Sequence, residues 1–175
     1  VSVVGNSGSG KIFVARRVAA VLGVPHIELD SLHHLAGWQP VDPATFRDQI
    51  DALTREEGWV VDGNYRAVVV DGPVWQRADA VVWIDLPQQV VMRQVVGRTV
   101  RRVVRREELW NGNREPIRSL VAWDPSKSIV RWAYTQHDKY RERYEGAMRA
   151  PAYRHLTFVR PRSRTAVERW LGDLS

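Results

Sequence analysis

The sequence predicts an α/β chain: a three-layer α-β-α fold around a mainly parallel five-stranded sheet. Three observations predict it. Five short, mainly apolar runs have strand length: Val1–Val4, His26–Leu29, Trp59–Val61, Ala80–Ile84 and Leu156–Val159. Segments with helical apolar spacing separate them, the pattern of repeated βα units and of a sheet covered on both faces. A tight glycine and serine loop, Gly5 to Gly10, joins the first run to the first helical segment.

The elements follow in order. Val1-Ser2-Val3-Val4 reads as a strand whose first residues lie upstream or were trimmed. Lys11 to Leu22 carries Val14, Val18, Val21 and Leu22 at helical spacing, and Gly23 and Pro25 stop it. His26 to Leu29 is a second strand, ended by Asp30. Asp42-Pro43 opens a helix to about Glu57, with proline at a suitable first-turn position. Trp59 to Val61 is a strand broken by Asp62-Gly63-Asn64-Tyr65, and Ala80 to Ile84 is another, ended by Asp85 and Pro87. A long helix runs from Gln88 to about Glu108, then a loop from Trp110 to Pro116. Ser119 to Asp124 fits either helix or loop, and a helix covers about Lys127 to Arg149. Leu156 to Val159 is the last strand, and Ser163 caps a closing helix to Leu171.

The 175 residues make one domain, 1–175, with a core of ordinary size. Hydrophobic residues at 44% and 26% charged residues exclude a disordered chain and a membrane-spanning one. The absence of cysteine excludes a disulfide scaffold, a thiol nucleophile and a cysteine-built zinc site. The start of the chain lacks the pattern of a secretory signal, so a cytoplasmic location is the expectation. Net charge is +6, carried almost wholly by arginine. Such an excess suits nucleic acid or small phosphorylated ligands. No feature specifies an oligomeric state.

Gly5-Asn6-Ser7-Gly8-Ser9-Gly10-Lys11 matches the G-x-x-x-x-G-K pattern of a phosphate-binding loop, with a strand before it and a helix after. Backbone N–H groups of such a loop turn inward around phosphate oxygens, and the new helix adds its positive end. Lys11 brings a point charge to the terminal phosphates. The motif departs at its last position. Ile12 stands where a serine or threonine hydroxyl ordinarily holds Mg²⁺, and Ser9 is the candidate substitute within the loop.

Three acids follow predicted strands: Asp30, Asp62 and Asp85. Ligands of open parallel sheets bind at those strand ends. Asp62 occupies the place of the acid that orients Mg²⁺ or its water. Asp30 suits a substrate hydroxyl, as orienting group or base. Asp85 reads as a helix cap. Arg66, four residues past Asp62, is suited to bidentate phosphate or carboxylate binding. His33 and His34 are adjacent, which is poor spacing for a shared metal.

Arg93, Arg98, Arg101, Arg102, Arg105 and Arg106 crowd fourteen residues, and positions 98, 101, 102 and 105 share a helical face. Like charges at these spacings destabilise an isolated helix, and an anionic ligand offsets that cost. The stretch from about 98 to 118 reads as an arginine-rich lid.

These motifs carry a resemblance. Gly5 to Lys11, Glu28-Leu29-Asp30, Trp59 to Tyr65 and Asp85-Leu86-Pro87 resemble the adenylate-kinase-like P-loop proteins named DNA topology modulation proteins. The resemblance runs from Val1 to about Leu171. Asp62-Gly63 through Arg66 is similar to the Asp-Gly-x-Pro-Arg segment of adenylate kinases, whose arginine holds the acceptor's phosphate; Tyr65 stands where proline would be. Val96-Gly97-Arg98 resembles the start of the adenylate kinase lid, and about 30–58 resembles the acceptor-binding segment. In nucleotide kinases the loop after the last strand lies beside the adenine, so the resemblance implies that Arg160 borders the base. The resemblance implies a P-loop NTPase fold, nucleoside-monophosphate-kinase-like with a short lid.

The implied activity is transfer of the γ-phosphoryl group of ATP, with Mg²⁺, to a small acceptor such as a nucleoside or nucleotide. Lys11, Asp62, Asp30, Arg98 and Arg102 are the candidate catalytic residues. Gly5 to Ile12, Arg98 and Arg160 are the candidate cofactor-binding residues, Asp30 and Arg66 the substrate-binding ones, and Asp62 the metal residue. Two alternatives stand beside it. One is a nucleotide-binding protein acting on nucleic acid or a partner protein. The other is a small-molecule kinase of the shikimate or gluconate type. No membrane partner is expected.

Overall fold

The computed structural model describes residues 1–116 and 128–174. The ambiguous segment Ser119–Asp124, the last part of the expected lid with Arg118, and the start of the helix expected from Lys127 fall outside the described residues. Five parallel strands form one sheet: β1 (Ser2–Gly5), β2 (His26–Glu28), β3 (Val60–Asp62), β4 (Ala80–Ile84) and β5 (Thr157–Val159). Their order is β2-β3-β1-β4-β5, so β1 is central. Glu28 of β2 pairs in register with Asp62 of β3, and Val3 of β1 pairs with Asp62 from the other side.

Seven α-helices accompany the sheet among the described residues: α1 (Lys11–Leu22), α2 (Leu29–His33), α3 (Pro43–Leu53), α4 (Pro73–Arg77), α5 (Gln88–Arg105), α6 (Ile129–Arg149) and α7 (Arg164–Asp173). Strand side chains alternate between faces, and the two cores show it. Val4, Val61, Val81 and Trp83 join Ile50, Trp75 and Tyr144 on one face. Val3, Val60, Val82 and Ile84 join Val14, Val18, Val91 and Leu171 on the other. Both faces of the sheet are therefore covered, as the unbroken apolar runs predict. No helix among the described residues is long and apolar enough to cross a membrane.

Local chemistry moves three boundaries. Strand β2 stops at Glu28, and Asp30 lies in the first turn of α2 rather than at a strand end. The helix expected to reach Glu57 ends at Leu53, five residues before Gly58 turns the chain at φ +73°. Arg106 takes a left-handed conformation that ends α5 at Arg105. Ser163 caps α7 as expected, its Oγ accepting the Ala166 N–H at 3.1 Å.

Asp85 does not cap the following helix. Its buried carboxylate accepts from Arg141 at 3.0 Å and from Arg160 at 2.9 Å. The Arg160 guanidinium also lies 3.8 Å from the centre of the Trp83 ring. Asp85→Ala leaves the largely buried Arg160 cation with Glu145 alone. Breaking a buried pair from one side costs about 3–5 kcal/mol, and the remaining Glu145 contact places this case at the low end. The thermal midpoint is expected to fall by roughly 10 °C. An unchanged midpoint would show that this cluster carries no net stability.

Candidate functional site

The central strand β1 runs out at Gly5, at the carboxyl edge of the sheet where ligands of such folds collect. The loop after it is held from several sides. Asn64 brackets Gly5: its Oδ1 accepts the Gly5 N–H at 3.2 Å, and its Nδ2 donates to the Gly5 carbonyl at 2.7 Å. The Tyr144 hydroxyl donates to the same Asn64 Oδ1 at 3.0 Å. Asn6 donates to the Ala133 carbonyl at 2.6 Å and accepts from the Ser7 N–H at 2.8 Å. Gly8 has φ +84°, and a Cβ there would stand 3.0 Å from the Val91 carbonyl oxygen and from Val95 Cβ. Glycine is therefore required both by the turn and by the close approach of α5. Gly10 caps α1 in a left-handed conformation without a side-chain hydrogen bond, so no capping side chain satisfies the first-turn N–H groups of α1.

Between this loop and α5 lies a cleft of about 850 Å³. Gly8, Gly10, Lys11, Ile12 and Phe13 line one wall, and Arg93, Gly97, Arg98, Arg101 and Arg102 the other, with Arg164 at the start of α7. Lys11, four α5 arginines and Arg164 make six cations, and no carboxylate among the described residues lines the cleft. Lys11 is buried at 8% exposure. Arg98 donates to Ser7 Oγ at 3.0 Å, while its buried Nε has no partner. Burial and the neighbouring Arg102 push the Arg98 guanidinium below its usual range, and Glu115 and Asp30 push the other way. Arg102 lies 3.8 Å from Glu115 and 4.0 Å from Glu107, and Arg101 is 3.3 Å from Glu107.

Mg²⁺, which usually accompanies a triphosphate at such a loop, does not fit the residues present. Ile12 contributes no oxygen. The Asp62 carboxylate is committed on one side, with Oδ2 bound to His26 Nε2 at 2.5 Å. Its Oδ1 and the Ser9 hydroxyl are buried and without partners. Neither Asp62 nor Ser9 lines the cleft, and the Ser9 hydroxyl is folded back under Gly5, 2.8 Å from where a Cβ on that residue would stand. Among the described residues, no cluster of three or more His, Asp or Glu is arranged to hold a metal.

Asp30 does not line the cleft; it lies beside Tyr65, and its charge reaches Arg98. The Tyr65 hydroxyl donates to Asp30 Oδ1 at 2.7 Å, and His34 Nε2 is 3.5 Å from that hydroxyl. Burial, then the charge of Asp30, pushes the Tyr65 phenol far up, so it remains a donor. His33 packs on Tyr65 and Phe46 with ring centres 4.5 and 5.1 Å apart, and burial lowers its pKa. The segment after α5 covers this region. Asn113 accepts the Trp38 N–H at 2.8 Å and donates to the Leu35 carbonyl at 2.9 Å. Asn111 donates to the His34 carbonyl at 2.6 Å, and Trp110 Nε1 donates to Glu28 at 2.9 Å. The chain after the arginine helix is thus tied to the segment expected to bind the acceptor.

Burial, with Asp62 next in size, pushes the Glu28 carboxyl up. A raised folded-state pKa favours the protonated form, so ionised Glu28 opposes folding at neutral pH and its cost disappears below the unfolded carboxylate range. Glu28→Gln, which keeps an acceptor for Trp110, is expected to raise the thermal midpoint at pH 7. The gain is expected to vanish near pH 4. A gain that persists unchanged at pH 4 would show that charge is not its source.

The structure brings Gly8, Gly10, Lys11, Ile12, Arg98 and Arg102 to one cleft, and it does not put Asp30 in that lining. It does not bring Arg66 or Arg160 there. Arg66 is exposed and paired with Asp71 at 2.7 Å, because the turn after Tyr65 directs it outward. Arg160 is saturated by Asp85, Glu145 and the Trp83 ring. Sequence reasoning missed His26 as the partner of Asp62 and Asn64 as the clamp on Gly5. An amide two residues past a strand-ending acid was the available signal for the second; nothing local marked the first.

Comparison with solved structures gives the fold. Shikimate kinase from Bacteroides thetaiotaomicron superposes with a TM-score of 0.55 at 18% identity, over 99% of this chain and 96% of that one. A protein from Thermus thermophilus gives 0.50 at 15% identity, over 99% and 94%. A gluconokinase from Sinorhizobium meliloti gives 0.47 at 18% identity, over 99% and 94%. No family model and no curated protein matches the chain. What the likeness to that shikimate kinase shows is the fold: three layers around an all-parallel sheet of five strands among the described residues.

Proposed function

We propose that the protein is an ATP-dependent phosphotransferase that acts on a hydroxyl of a small-molecule acceptor. The observation that carries the reading is the cationic cleft at the carboxyl end of the central strand, walled by the glycine loop, Lys11 and the α5 arginines. Phosphoryl transfer is catalysed mostly by positioning and charge stabilisation, which is what this wall offers. Sharing a fold with a shikimate kinase supports a small acceptor over a macromolecular one.

The roles follow from placement. The loop N–H groups and Lys11 bind the phosphate chain. Arg98, held by Ser7 and within the field of Asp30, neutralises charge on the transferring group. Asp30 takes the proton of the acceptor hydroxyl, and Tyr65 fixes that carboxylate in place. The segment 109–114 closes over the acceptor and excludes water, which limits wasteful hydrolysis. Within the fold, the Asp62-Gly63-Asn64-Tyr65 segment supports kinship with the adenylate-kinase-like group named for DNA topology modulation. The test is ADP release from ATP across a panel of small hydroxyl-bearing acceptors.

A further inference from the structure

We propose that the cleft binds ATP as the metal-free tetraanion, with Lys11 and the α5 arginines supplying the charge compensation that Mg²⁺ ordinarily gives. The inference rests on the nucleotide reading above and goes beyond it. It begins from position 12. Mg²⁺ dehydrates reluctantly and keeps several waters, so its site must offer oxygen ligands or hydrogen-bond partners for those waters. Ile12 lines the cleft and offers neither, and Phe13 beside it extends the apolar wall, 62% exposed.

The two oxygens left over nearby do not replace the missing hydroxyl. Ser9 Oγ is turned beneath the loop, against Gly5. Asp62 is anchored to His26, and its unpartnered Oδ1 is buried outside the cleft lining. The opposite wall supplies what the metal would have supplied. Arg93, Arg98, Arg101 and Arg102 all face the cleft, and Arg164 closes its end. Glu107 pairs with Arg101 and Arg102, and Glu115 with Arg102, from outside the lining, and the charges of Glu115 and Asp30 also reach Arg98. In a walled cleft the field of such a cluster is focused on the ligand. Free ATP is more anionic than its complex with a divalent cation, so the arginine wall favours the free form. Among the described residues, no anionic side chain lines the cleft to hold a divalent cation against those arginines.

The experiment is calorimetric titration of ATP into the full chain, in excess EDTA and in excess MgCl₂ at matched ionic strength. ATP is expected to bind on the order of tenfold more tightly in EDTA. Ile12→Ser, checked for folding by circular dichroism, is expected to narrow or invert that ratio. Arg101→Ala is expected to weaken binding in EDTA more than in MgCl₂, and this arm stands even if the first variant does not fold. Equal or tighter binding in MgCl₂ by the unaltered chain overturns the proposal and leaves the nucleotide reading intact. No binding in either condition overturns the nucleotide reading itself, and this inference with it.

Discussion

Lys11→Met is expected to lower acceptor-dependent ADP release by about 10³-fold, the scale of removing one preorganised charge from a phosphoryl-transfer site. Lys11 is the first residue of α1, buried at the cleft wall. Among the described residues its ammonium is the only lysine charge lining the cleft, and a point charge on a flexible stem follows the phosphate chain in a way that the surrounding planar guanidiniums cannot. Methionine keeps most of the length and packing, so circular dichroism and the thermal midpoint are expected to change little. ATP affinity falls too, because the charge acts on bound ATP as well as on the transition state. Activity within tenfold of the unaltered chain would remove Lys11 from the machinery.

Asp30→Asn tests the other half of the site. Losing a general base costs about 10²- to 10⁴-fold in turnover. Asparagine still accepts the Tyr65 hydroxyl, which in the structure bonds to Asp30 Oδ1 at 2.7 Å, so the local geometry is retained. Turnover is expected to fall by that range while the Kd for ATP stays within a factor of two or three. Tyr65→Phe, which leaves the carboxylate but frees it to rotate, is expected to have a smaller effect. Unchanged turnover in Asp30→Asn would exclude Asp30 as the base. An equal loss of ATP binding would assign it a structural role instead.

The two halves of the site were unequally legible in the sequence. The phosphate half is local: a strand, seven consecutive residues and a helix lie in register, and Gly5 to Lys11 occupy the expected place. The sheet was equally readable because its three central strands, β1, β3 and β4, are almost wholly buried and appear as mainly apolar runs. Asp30 stands out by its place after an apolar run, although α2 begins at Leu29 and puts it on a helical turn rather than at a strand end. Long-range pairing was not legible. His26 and Asp62 meet only because β2 and β3 lie side by side in the sheet. Arg160 and Arg66 have the right chemistry for phosphate, but Asp85 and Asp71 take them first. An excess of arginine suits anionic ligands; packing shows which guanidiniums line the cleft and which are paired elsewhere. The short helix α4 went unread because Gly72-Pro73 reads as a turn, whereas Pro73 is a favourable first helical residue there.

The central claim is that the cationic cleft serves transfer of a phosphoryl group to a small acceptor. The most direct test measures ADP released from ATP by the full chain, with and without Mg²⁺, against nucleosides, nucleoside monophosphates and hydroxy acids. The account expects release that rises with one acceptor class, saturates with its concentration and is lost in Lys11→Met. Release that no acceptor stimulates, in either metal condition, would contradict it.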